Sequence, residues 1–261
     1  MTPPSNGSEL ARVHHFLRRH QDASATRVQR WRWGTACTHE GLPRVYDLNF
    51  LRLEEITDDL SVDAVIQEAD RIQSRLGHRE IWVQDESVGR ELEPDFKARG
   101  WKVNRHIVMV HRRLADRVSD TAEVKEFEEA KMWPTRAEYL RTYEWCRDDE
   151  TVAQMHGAYR VWMSACNGRD FGIERDGRPV SFAMLWTDGG TAQIEDVATL
   201  EAYRNQGLSR AVISKALEEA RAGGSTLVFL VADYEDWPKE LYAKLGFDTV
   251  GELYYFVKVN S

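Results

Sequence analysis

Residues 194–211 read Ile-Glu-Asp-Val-Ala-Thr-Leu-Glu-Ala-Tyr-Arg-Asn-Gln-Gly-Leu-Ser-Arg-Ala. An apolar strand pattern passes through an Arg-x-x-Gly-x-Ser turn directly into a helix pattern, and this junction constrains the fold more than any other segment. A helix start leaves backbone N–H groups without intrahelical partners, and the helix dipole adds partial positive charge there. A glycine in the turn lets the backbone approach a ligand closely. Together these features make a cradle for a diphosphate. The spacing is not Gly-x-x-x-x-Gly-Lys-Ser/Thr and lacks the three glycines of the dinucleotide fingerprint. A nucleoside-triphosphate or NAD site is therefore disfavoured.

The 261 residues suffice for one large domain or two small ones, and 42% hydrophobic with 30% charged residues is an ordinary globular balance. The net charge of −8, from 35 basic and 43 acidic residues, disfavours a nucleic-acid binder, which would carry a basic face. Cys37, Cys146 and Cys166 share no metal-ligand spacing and read as small apolar side chains. No apolar run approaches the roughly 18 residues of a membrane helix. The first ten residues lack a signal pattern, so the expected location is the cytoplasm.

Residues 1–8 are rich in Pro, Ser, Gly and Asn and read as disordered. Apolar spacing predicts a helix from Leu10 to about Arg32, then a loop over 34–43. Alternation predicts a strand over Val45–Leu53. A helix over Val62–Leu76, a strand over Glu80–Gln84, a helix over Leu92–Arg99 and a strand over Trp101–His111 follow. Residues 115–131 are charged and read as a connection, with an edge strand at Val124–Phe127. Thr135-x-x-Glu138 has the form of a capping box, predicting a helix from there to about Arg147, with a second over Val152–Cys166. Strands at Phe171–Arg175 and Pro179–Thr187 flank the hairpin signal Asp176-Gly177. A strand at Thr191–Thr199, a helix at Leu208–Arg221 and an almost fully apolar strand at Thr226–Ala232 come next. A Pro238-initiated helix and a closing strand at Leu253–Val259 complete the chain.

Phe96-Lys-Ala-Arg-Gly100-Trp101 and Tyr242-Ala-Lys-Leu-Gly246-Phe247 match in kind, and an apolar strand follows each. The expected organisation is thus two pseudo-repeated halves, residues 1–115 and 116–261. The first half has no counterpart of Arg204–Ser209; its equivalent stretch, Glu54–Asp63, is acidic and would repel a phosphate.

The strand Glu195–Thr199, the turn Arg204–Ser209 and the segment Leu241–Phe247, in that order, resemble the GCN5-related N-acetyltransferase (GNAT) family. The family's turn is Gln/Arg-x-x-Gly-x-Gly/Ala, and Ser209 is a small departure from it. The clear resemblance covers about residues 133–259, and the first half looks like a degenerate second copy, as in tandem members. The resemblance implies an α/β (α+β) fold with a central mixed, mostly antiparallel sheet flanked by helices. It also implies acetyl-coenzyme A binding and acyl transfer to an amine, with no metal. Amides of Gln206, Gly207, Leu208, Ser209 and Arg210 would hold the pyrophosphate, beside Asn205. Arg204 and Arg210 would add charge or sit as surface arginines. Val197, Ala198 and Thr199 would offer backbone groups to the pantetheine as a mock strand.

Tyr242 aligns with the family's tyrosine acid; its other reading is a packing aromatic. Glu195 and Asp196 are the leading base candidates. Strand alternation would put them on opposite faces, with Glu195 sharing its face with Val197 and Thr199. Asp233 and Glu235 are further candidates, and His156 reads as a helix-surface residue. Glu144, Asp148, Asp149 and Glu150 could attract a cationic amine or simply face solvent, and Trp145, Trp162, Trp186 and Trp237 could wall a pocket or lie in the core.

The leading expectation is direct acetyl transfer to a primary amine of a small molecule in a ternary complex. The partners would be that amine, with no nucleic acid and no membrane, in a monomer or homodimer. Alternatives are a longer acyl donor or an acyl carrier protein, a protein acceptor, and a coenzyme-A-binding regulatory module without turnover.

Overall fold

The computed structural model describes residues 6–259. The expectation of disorder for residues 1–8 lies, for residues 1–5, outside the described residues; from Asn6 the chain is already in the first helix. The first half comprises α1 (Asn6–Ser24), β1 (Arg27–Trp31), β2 (Gly34–Thr38), a 3-10 turn (Tyr46–Leu48), β3 (Phe50–Leu53), α2 (Val62–Ile72), β4 (His78–Val83), α3 (Glu86–Ala98) and β5 (Lys102–His111). The second comprises β6 (Val124–Phe127), α4 (Glu129–Leu140), α5 (Asp149–Ala165), β7 (Arg169–Arg175), β8 (Arg178–Asp188), β9 (Thr191–Thr199), α6 (Leu208–Ala222), β10 (Leu227–Asp233), α7 (Pro238–Lys244) and β11 (Phe247–Val259).

All eleven strands form one sheet in the order β1-β2-β3-β4-β11-β5-β10-β9-β8-β7-β6. Every pairing is antiparallel except β3 with β4 and β9 with β10. The sheet is pseudo-symmetric about the β11/β5 pair. Each half contributes a parallel pair, and the last strand of each half is inserted into the other. β11 lies between β4 and β5, and β5 lies between β10 and β11.

Local chemistry explains most elements. Gly100 and Gly246 both take positive φ, 72° and 97°, ending α3 and α7 before β5 and β11, as the repeated Gly-aromatic segments predict. A Cβ on Gly246 would lie 2.0 Å from the Arg113 carbonyl oxygen, so no larger residue fits there. Asp176 and Gly177 are both left-handed, at φ 52° and 80°, closing the β7–β8 hairpin. The apolar strand at 227–233 is central and buried, with Val228 and Phe229 fully covered.

One core lies under α6, against β7, β8, β9 and β10. Another lies under α2 and α3 in the first half. A third is shared between the halves on the opposite face, where Val13, Phe16 and Leu17 of α1 meet Val152, Met155 and Tyr159 of α5 over Val108, Phe229 and Leu253.

Four expectations need correction. The helix from Leu10 ends at Ser24, and residues 27–38 form the β1–β2 hairpin rather than helix and loop. β1 is an edge strand whose side chains are mostly exposed, so its sequence, Arg-Val-Gln-Arg-Trp, carries no clear strand period. Residues 45–53 divide into a 3-10 turn and a short strand. α4 starts at Glu129, and Thr135 lies inside it, donating its hydroxyl to the Pro179 carbonyl (2.8 Å) instead of capping.

Candidate active site

β9 and β10 pair only from Leu227↔Thr191 to Phe229↔Gln193. Beyond that register the strands part, and a cavity of about 520 Å³ occupies the gap, lined by residues 194–197 of β9 and 230–233 of β10. Its other walls come from both halves: Gln21 of α1, Glu80 and Trp82 of β4, His106 of β5, Tyr139 and Tyr159 of α4 and α5, and Tyr242 of α7. Past Gln193, the β10-facing edge of β9 has no ladder partner among the described residues, so the backbone of Val197, Ala198 and Thr199 lies along the opening.

The turn leading into α6 is built for an anion. Gly207 caps the helix in the left-handed region (φ 78°), and no side chain accepts from the first turn. The first intrahelical bond runs from Ala211 N to Gly207 O at 3.2 Å, which leaves the amides of Leu208, Ser209 and Arg210 before it. A Cβ built on Gly207 would meet nothing within 4 Å, so the approach to these amides is open. Asn205 is also left-handed (φ 63°), and residues 204–207 are exposed. This open, uncapped helix start offers unpaired amide donors to an anion.

Of the two arginines, Arg204 folds back onto the Thr199 carbonyl oxygen (3.2 Å), while the buried Arg210 guanidinium pairs with Asp116 (2.6 Å). Arg210 can therefore offer its amide, with its side-chain charge already matched. Leu208 packs into the core below.

The equivalent region of the first half is closed. There β3 and β4 stay paired through Leu53↔Val83, the end of both strands. Ser61 caps α2 by accepting from the Ala64 amide (3.3 Å). The acidic stretch is tied down by ion pairs of Arg30 with Glu54 and Glu55, Arg32 with Asp59, and Arg99 with Asp63.

Glu195 and Asp196 do not follow strand alternation. Phe182 pairs with Ala198 and Met184 with Glu195, so two β9 residues oppose the single residue Ala183. This is a β-bulge, and within it Asp196 takes a left-handed conformation, φ 51°. Glu195 therefore shares its face with Ala198, not with Val197 and Thr199, and Glu195 and Asp196 both line the cavity.

Their environments separate their roles. Asp196 accepts from Arg136 Nε (2.6 Å) and from the Tyr159 hydroxyl (3.1 Å), while Arg136 also donates to the buried Asp170 (2.8 Å). Both Asp196 oxygens are engaged in pinning the bulge to α4 and α5. Glu195 faces no cation; its side-chain contact is the Gln193 amide, which donates at 2.5 Å. Burial pushes the Glu195 carboxyl up to about 7. Burial also raises the Tyr242 phenol well above its usual range, and the Glu195 charge adds to that shift.

The other candidates divide between the cavity wall and the outer surface. Asp233 lines the cavity at the end of β10, but its carboxylate accepts the Glu235 amide (2.8 Å) in a local turn. His156 stacks on Trp133 and meets Glu129 (2.6 Å) on the outer face of α5. Asp148 caps α5 and, with Glu150, pairs with Arg44, while Asp149 pairs with Arg141. Trp145, Trp162 and Trp186 line the cavity, whereas Trp237 is exposed. The Cys37 and Cys166 thiols are each pushed up to about 12 by burial, and no cysteine lines the cavity. Sequence reasoning missed Asp47 and Glu80, which reach the same cavity from the first half. Among the described residues there is no group of metal-ligating side chains and no helix long and apolar enough to cross a membrane.

Residues 132–247 match the model of the acetyltransferase (GNAT) family. That match spans a little under half of the chain, and over it the residues are similar to a GNAT acetyltransferase domain. No curated protein matches the chain. A conserved protein of unknown function from Staphylococcus epidermidis superposes with a TM-score of 0.71 at 13% identity, covering 92% of this chain and 96% of that one. A GCN5-related N-acetyltransferase from Kribbella flavida gives 0.62 at 16% identity, covering 95% of each chain. A tandem GNAT protein from the clavulanic acid biosynthesis pathway gives 0.52 at 10% identity, covering 80% of this chain and 74% of that one. At these identities the similarity is one of fold.

Proposed function

We propose that the protein transfers an acetyl group from acetyl-coenzyme A to a primary amine of a small molecule by direct attack in a ternary complex. The observation that carries this reading is the meeting of Glu195 and Tyr242 in the cavity that opens where β9 leaves β10.

The amides of Leu208, Ser209 and Arg210 hold the pyrophosphate at the uncapped start of α6. The unladdered edge of Val197–Thr199 takes the pantetheine as an added strand once the exposed Arg204 releases the Thr199 carbonyl, directing the thioester into the gap. Glu195 removes a proton from the acceptor amine, which must be neutral to attack. A carboxyl at about 7 is poised for this, since a general base works best near the ambient pH. Tyr242, held protonated by burial and by the neighbouring carboxylate, supplies a proton to the departing thiolate. Asp196, held by Arg136 and Tyr159, fixes the bulge that carries Glu195 rather than exchanging protons.

The deciding experiment is a free-thiol release assay with acetyl-coenzyme A over a panel of amines. Amine-dependent release is expected. Coenzyme binding without release for any amine or acyl donor would instead mark a binding module.

A further inference from the structure

The cavity extends past Glu195 to two more carboxylates, Asp47 on the 3-10 turn and Glu80 on β4. Glu80 is 4% exposed, and its Oε2 has no hydrogen-bond partner. The Trp82 indole faces Glu80 without completing a hydrogen bond. Asp47 makes no hydrogen bond and no ion pair among the described residues, and it is an exposed residue that lines the cavity. Gln193, which also lines the cavity, is 3% exposed, and its buried Oε1 has no partner either.

A buried acceptor without a donor is costly, and burial together with the nearby Asp47 raises the Glu80 carboxyl well above its usual range, so that without a cation beside it Glu80 holds its proton. No lysine or arginine lines the cavity. The two histidines on its wall, His20 and His106, are each lowered to about 4 by burial and carry no compensating charge at neutral pH. Asp47 is close enough to feel both Glu80 and Glu195, so the three carboxylates form one electrostatic unit. What this wall lacks is a hydrogen-bond donor carrying positive charge.

We propose that Asp47 and Glu80 form a cation subsite for a second ammonium group of the acceptor, so that the substrate is a small molecule with at least two amines. One amine lies at Glu195 for reaction, and the other is held by the first half of the chain. This rests on the acyl-transfer reading for the first amine, but the subsite itself is a matter of binding and is measured separately. It also gives residues 1–115 a role in acceptor choice although that half has no open coenzyme cradle of its own.

The test is calorimetry on the full chain with α,ω-diaminoalkanes from butane to octane, each against the monoamine of the same length. At least one diamine should bind roughly ten- to a hundredfold tighter than its monoamine, the worth of one hydrogen-bonded charge pair. Glu80→Gln and Asp47→Asn, both near-isosteric, should each reduce that preference. Equal affinity of diamine and monoamine across the series in the unmodified protein overturns the subsite, as does a preference that survives in both variants. Diamine preference without thiol release removes acyl transfer and leaves the subsite. Thiol release with equal KM for monoamines and diamines does the reverse.

Discussion

Glu195 and Tyr242 face one cavity from β9 and α7, and the carboxylate's charge adds to burial in keeping the phenol protonated. The carboxyl therefore loses its proton far more readily than the phenol, as the proposed roles of base and acid require. Tyr242→Phe should lower kcat by about a hundredfold with little change in coenzyme affinity, read by thiol release and calorimetry. Unchanged kcat would leave Tyr242 as a packing aromatic.

The proton on Glu195 gives a pH signature. A base must be deprotonated to act, so activity should rise with pH through about 7 and then level off. In Glu195→Gln that rising limb should disappear and kcat/KM fall by about a hundredfold or more. A limb at the same pH in the variant would assign it to another group.

The same carboxyl links pH to stability. Its pKa is higher in the folded state than in the unfolded chain, so its contribution is fully present below about 4.5 and is lost as pH rises through about 7. Glu195→Gln should therefore stabilise the protein at pH 8 by roughly 1–3 kcal/mol and not at pH 4. Urea denaturation at the two pH values checks this, and equal effects at both would refute it.

Gly207 should be intolerant of a side chain on two counts. Gly207→Ala forces an ordinary residue into the left-handed region, at a cost of about 1–2 kcal/mol in thermal unfolding. Gly207→Trp should in addition abolish calorimetric binding of coenzyme A, because the indole would cover the open amides of α6.

Coenzyme stoichiometry should be one per chain. The start of α2 is capped by Ser61 and the β3–β4 pair never parts, so the first half has neither an anion cradle nor a gap. Calorimetry that resolves two sites of similar affinity would contradict this.

Much of the second half was legible in its sequence because its signals are local. The Arg204–Ser209 turn, the Asp176-Gly177 hairpin and the helix stop at Gly246 each depend on a few neighbouring residues, and each lies where those residues imply. The bulge at Asp196 was not legible, since one left-handed residue inserted into a strand leaves no periodic trace. Alternation read without it assigned the wrong neighbours to Glu195. Asp47 and Glu80 were not legible because nothing in the short segments that carry them marks a site. Only the long-range pairing of β4 with β11 and the packing of both halves around one cavity bring them to it, Glu80 buried and Asp47 exposed. The β1–β2 hairpin was lost to the aromatic and basic residues around Trp31, which continue a helical spacing as readily as they fit an exposed edge strand.

The exchange of final strands between the halves sets an order of events during synthesis. β5, complete at His111, has both flanks reserved for β10 and β11, which begin at Leu227 and Phe247. A nascent chain that has produced only its first half therefore exposes an apolar strand with two open edges, a template for wrong pairing. Neither half can reach its native state ahead of the other, and a nick between them would not release two working pieces. Maturation should be a late, single cooperative step that follows arrival of the C-terminal strand.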